Sequence, residues 1–111
     1  MNPTKEEQLE KARALMNKHG LHDWRVSFAD LSHVPSRNLV GASFGVSGLC
    51  NFREKHIVVD LGATKHSFLQ IVKHEIGHAL VGLPGHGASW LVAAKKAGCS
   101  KKHLDFYRIS Q

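Results

Sequence analysis

Five residues, His74-Glu75-Ile76-Gly77-His78, restrict this chain more than any other feature. Two histidines four positions apart work together on an α-helix, where i and i+4 stand one turn apart on the same face and both imidazoles can reach one metal ion. Glu75, beside the first of them, projects near the same edge and is a candidate general base on a metal-bound water. In a chain with nine histidines the pattern arises by chance roughly 0.03 times, so its surroundings decide. They are helical. Ser67-Phe68-Leu69-Gln70 has the form of a capping box, with Thr64 a rival N-cap one turn earlier. Phe68, Leu69, Val72, Ile76, Ala79, Leu80 and Leu83 then recur at steps of three and four, and Gly82 with Pro84-Gly85 supplies the stop.

A third ligand is available close by. His86 follows the turn, flanked by Gly85 and Gly87, which let the backbone fold back toward the helix it has just left. Three protein ligands with a fourth position for water is the arrangement of a catalytic zinc site, whereas a structural site has four protein ligands. The His78–His86 spacing is two residues too long for the metzincin pattern.

The run His74-Glu75-Ile76-Gly77-His78-Ala79-Leu80, followed by Gly85-His86-Gly87-Ala88-Ser89-Trp90, resembles the active-site signature of the SprT-like zinc metallopeptidases, the family of the Spartan-type proteases. Gly48-Leu49-Cys50 and Lys55–Asp60 are similar to the strand pair that precedes the active-site helix in that family, and Lys96-Ala97-Gly98-Cys99 to the end of its next helix. The resemblance spans roughly residues 24–100. It implies a zincin-like minimal metalloprotease core that binds Zn²⁺ through His74, His78 and His86, with Glu75 as catalytic base. The sequence departs from many longer relatives in showing no Cys-rich zinc ribbon, and compact stand-alone copies of such a core are expected in phages or bacteria.

The remaining sequence predicts an α+β domain over residues 1–111. Thr4 and Glu7 form a capping box ahead of Leu9, Ala12, Leu15 and Met16, which line one face of a first helix ending at Gly20. Trp24, Val26 and Phe28 alternate with polar residues, as do Val40, Ala42, Phe44 and Val46. A turn around Asn51–Glu54 leads to a third strand at His56–Leu61. After the active-site helix a last helix is expected from about Ala88 to Ala97, with a variable tail beyond Gly98. The strand His56–Leu61 is a candidate sheet edge, where an extended peptide could add as an antiparallel strand.

No apolar run approaches the ~20 residues of a membrane span, and the first residues lack the apolar segment of a secretory signal. Cys50 and Cys99, far apart, read as reduced thiols of a cytoplasmic protein. The expectation is a monomer acting on protein or peptide substrates. The net charge is +6, and Lys95, Lys96, Lys101, Lys102 and Arg108 concentrate it at one end, where weak DNA binding is expected to be salt-sensitive. His56, His66 and His103 read as ordinary surface or helix-end residues; Tyr107 and His103 are also candidate oxyanion donors. Trp90 is expected to pack beneath the site. Two alternatives stand beside the peptidase reading: an ImmA-like regulatory peptidase, whose distal ligand is usually acidic, and a non-catalytic zinc-stabilised nucleic-acid-binding module.

Overall fold

Thr4 starts the first helix: its Oγ1 accepts the Glu7 amide at 3.1 Å, leaving α1 to run over Lys5–Lys18. The computed structural model describes residues 4–31, 47–62, 67–82 and 86–109, with side chains as far as residue 105. Its elements follow in the order α1, β1 (Arg25–Ala29), β2 (Gly48–Asn51), β3 (His56–Asp60), α2 (Phe68–Val81), α3 (Ala88–Ala97) and α4 (Lys101–Ile109). The result is an α+β fold with a three-stranded mixed sheet among the described residues. None of the described helices is long and apolar enough to cross a membrane.

The sheet order is β1-β3-β2, with β1 parallel and β2 antiparallel to β3. The strand expected at the edge, His56–Leu61, is therefore the central one: its two sides are taken by β1 and β2, and it has no free edge to offer a peptide. The turn between β2 and β3 is the expected one, with Asn51 Oδ1 accepting the Glu54 amide at 3.0 Å. The expected strand at residues 40–46 and the rival cap Thr64 lie outside the described residues, and β2 falls just after that predicted strand.

In-register Val26, Ile57 and Val59 turn to the helices, where they meet Ala12 and Met16 of α1 and Ile71, Val72 and Ile76 of α2. Each Val, Ile or Met among them taken fully out of water contributes about 1.5–3 kcal/mol, against about 1 kcal/mol for a helix cap. Packing on the sheet therefore holds α2, and Ser67, whose Oγ accepts the Gln70 amide at 3.3 Å, sets where it begins. Gly82, at φ +78°, ends it.

The opposite side of α2 carries α3. A second cluster of Trp90, Ala94, Cys99 and Leu104 joins α3 to α4. The stretch expected as a variable tail beyond Gly98 thus holds a helix, α4. Ser100 Oγ accepts the His103 amide at 3.2 Å, and the Ser100 amide donates to Gln70 Oε1, also at 3.2 Å. Gln70 does not close a capping box on its own helix; its side chain ties the start of α4 to α2. Both cysteines are free thiols. Burial pushes Cys50 up to about 12 and Cys99 up to about 11, so neither is a ready thiolate nucleophile.

Candidate metal centre

Because α2 is packed on the sheet on one side and on α3 on the other, the middle of the helix is enclosed, and His74, Glu75 and His78 are all buried. Such burial of polar groups is costly unless each has a partner. The histidines turn the same atom toward one another: the His74 and His78 Nε2 atoms are 3.2 Å apart, and His86 Nε2 stands 2.9 Å from the first and 3.2 Å from the second. Three ring nitrogens from two turns of α2 and the segment entering α3 therefore converge on one point. Around a tetrahedral zinc with ~2.0–2.1 Å ligand distances, neighbouring nitrogens are roughly 3.3 Å apart. The three spacings fit that figure, and the donor set of three imidazoles suits zinc among the divalent metals it could bind.

Protonation favours the same use. Burial first, then the neighbouring His78 and His103, pushes His86 down to about 4. The ring is thus neutral at neutral pH, the form in which an imidazole ligates. His86 is only half-buried, so the cluster meets solvent on that side. Glu75 is enclosed, and burial raises its carboxyl to about 8; a cation on the three histidines would act against that rise.

Two close approaches position these groups. A Cβ built on Gly48 would stand 2.8 Å from Ile71 Cγ2 and 3.1 Å from Glu75 Oε2. A glycine in β2 thus lets α2 come close enough for the Glu75 carboxylate to lie against the sheet. On the other side, a Cβ on Gly77 would meet Trp90 Nε1 at 2.9 Å and the Ala94 backbone at 3.2 Å. Trp90, as expected, lies beneath the cluster, its ring centroid 4.6, 5.6 and 4.7 Å from those of His74, His78 and His86. Its Nε1 donates to the His74 carbonyl at 3.1 Å.

The Gly77→Ala variant sets two effects against each other. Alanine improves helix propensity by about 1 kcal/mol, but overpacking a closed interface costs about 1–3 kcal/mol, and the Ala94 backbone cannot rotate away. The net expectation is a loss of about 1 kcal/mol, read as a thermal midpoint lowered by several degrees. An unchanged or raised midpoint would show that α2 and α3 separate freely.

His103 lies near a helix end, in the first turn of α4, but not at the surface where sequence reasoning also allowed it. It is buried rather than on the surface, with Nε2 2.9 Å from His74 Nδ1. It stands behind the candidate ligand His74, on the far side of that ring from the converging nitrogens. The available signal was Ser100, a good N-cap three residues before it, followed by Leu104 as an apolar anchor. His56 lies on the sheet, bonded to Ser27 Oγ at 2.7 Å, and does not join the cluster. His66 and the Tyr107 side chain lie outside the described residues. Lys95, Lys96, Lys101 and Lys102 are exposed around the α3–α4 junction, with Lys101 paired to Asp105 at 2.8 Å. Comparison with family models, with curated proteins and with solved structures finds no match to the chain.

Proposed function

We propose that this protein is a zinc-dependent metalloendopeptidase with a zincin-like core of the SprT-like kind. Zn²⁺ would be held by His74, His78 and His86, and Glu75 would serve as general base. The observation that carries the reading is the convergence of the three Nε2 atoms, 2.9–3.2 Å apart, beside a buried carboxylate on the same helix. Zinc bound there would supply a Lewis acid for the scissile carbonyl and lower the pKa of water toward ~7.

The rest falls to the chain. The three imidazoles, two of them on a helix clamped between sheet and α3, hold their lone pairs on one point before any ion arrives, so little ordering is left to do on binding. Glu75 takes the proton of the attacking water on its carboxylate and passes it to the departing amine. The missing side chain at Gly48 leaves the room in which that carboxylate stands. Trp90 fills the floor and keeps water from the underside of the histidines. Because the third donor is an imidazole, the reading is closer to the SprT-like arrangement than to one with an acidic distal ligand. The lysines at the α3–α4 junction form a docking face for an acidic partner, DNA among them.

The test is metal analysis joined to proteolysis. Purified protein is expected to carry one zinc per chain and to cleave casein. Treatment with 1,10-phenanthroline should abolish cleavage, and added zinc should restore it. Running the assay with and without DNA at low and moderate salt shows whether the basic face affects turnover. Zinc present without cleavage under every condition would favour the non-catalytic binding module.

A further inference from the structure

The His103 side chain has no part in the proton transfers above, yet it is almost wholly buried, at 4% exposure, against a ligand. We propose that His103 is a positioning residue: its Nε2 accepts the Nδ1–H of His74 and so locks His74 in the tautomer that turns the Nε2 lone pair toward the metal centre. The inference rests on the reading of His74, His78 and His86 as metal ligands.

A neutral imidazole carries one proton, on Nδ1 or on Nε2, and the partner of one nitrogen decides the state of the other. His74 Nε2 is the atom that faces His78 and His86, at 3.2 and 2.9 Å. For that atom to offer a lone pair, the proton must be on Nδ1, and a buried N–H needs an acceptor. The nitrogen that stands at hydrogen-bond distance from Nδ1 is His103 Nε2, at 2.9 Å, and for it to accept there the neutral His103 ring must carry its own proton on Nδ1. The two rings are nearly perpendicular, at 85°, with centroids 5.2 Å apart, so they meet by their edges rather than by stacking.

The placement of His103 is held independently of this bond. Ser100 Oγ caps α4 through the His103 amide, the Ser100 amide is bonded to Gln70 of α2, and Leu104 is buried against Trp90, Ala94 and Cys99. The helix therefore delivers the acceptor to a fixed spot behind His74. A histidine there differs from the carboxylate that often backs a ligand histidine: it orients the ring without adding a negative charge to an enclosed site.

The test uses the full chain and two variants. His103→Phe keeps an aromatic of similar bulk without an acceptor. His103→Gln places its Oε1 the same number of bonds from Cα as the imidazole Nε2, and so keeps the acceptor. Long-range ¹H–¹⁵N spectra of the metal-free proteins read the tautomer of His74 directly. The parent and His103→Gln should show the Nδ1–H form, and His103→Phe a mixture. Competition with a chromophoric chelator should show zinc affinity ~10–100-fold weaker in His103→Phe, with His103→Gln recovering most of it. Circular dichroism checks that each variant is folded. A parent that takes up no zinc overturns the metal reading, while the tautomer spectrum still decides on His103. An Nε2–H form of His74 in the parent overturns the present proposal, whether or not the variants fold. Equal zinc affinity in a folded His103→Phe overturns it as well.

Discussion

Replacing His86 with alanine is expected to empty the metal centre while leaving the metal-free fold nearly as stable as before. Two imidazoles one turn apart on α2 cannot by themselves surround an ion, and the third corner of the 2.9–3.2 Å triangle comes from His86. The loss of affinity should exceed the ~10–100-fold that follows removal of a mere orienting partner. His86 is half-buried and belongs to neither core cluster, so its truncation opens no cavity among Ile57, Val72 and Ile76. The signature is thus a lost difference. In the parent, free zinc at a thousand times Kd adds about 4 kcal/mol to stability, on the order of 15 °C in the thermal midpoint of a chain this size. In His86→Ala that increment should vanish. Elemental analysis after dialysis and melts with and without zinc measure both quantities, and full zinc retention by the variant would move the third ligand elsewhere.

Glu75→Gln should do the opposite: zinc stays and hydrolysis falls by ~10²–10⁴, the usual contribution of a positioned general base. The amide matches the carboxylate in shape, so Gly48 and Ile71 still accommodate it. Its neutrality also removes the desolvation that raises Glu75 to about 8. The metal-free variant at neutral pH should therefore be as stable as the parent or more so. A role in structure predicts the reverse, a destabilised protein with reduced zinc. Rates on casein, zinc content and melting curves of the same preparations separate the two, and undiminished cleavage by Glu75→Gln would remove it as the base.

The features legible in the sequence are those written in consecutive residues. Thr4 and Ser67 mark helix starts, the steps of three and four through Ile76 mark α2, alternation marks β1, and the turn around Asn51–Glu54 marks the entry to β3; the structure follows each. The spacing of His74, His78 and His86 likewise anticipates their convergence. What was hidden is non-local. Nothing in His56–Asp60 itself says whether two strands flank it or one, and the central position of β3 follows from its parallel pairing with a strand from early in the chain. The helix α4 presents Lys101 and Lys102 to solvent and has few apolar residues in its first turn, so periodicity alone does not reveal it. The inward turn of His103 depends on Leu104 meeting Trp90's cluster, and the place of Gly48 against Glu75 depends on how a strand packs on a helix. Both are facts about pairs of distant residues, which a single run of letters does not hold.

Trp90 also gives the protein an optical handle on metal binding at the three-histidine cluster. The chain has two tryptophans; Trp24 packs against the core formed by α1, α2 and the sheet, while Trp90 belongs to the second cluster, with its indole against all three candidate ligands. Indole emission responds to charge and to imidazole contacts at that range. In a Trp24→Phe background the remaining fluorescence therefore comes from a fluorophore built into the floor of the centre. Metal loading, its rate and its release by chelators become readable in real time, without a label and without waiting for a peptide to be cut.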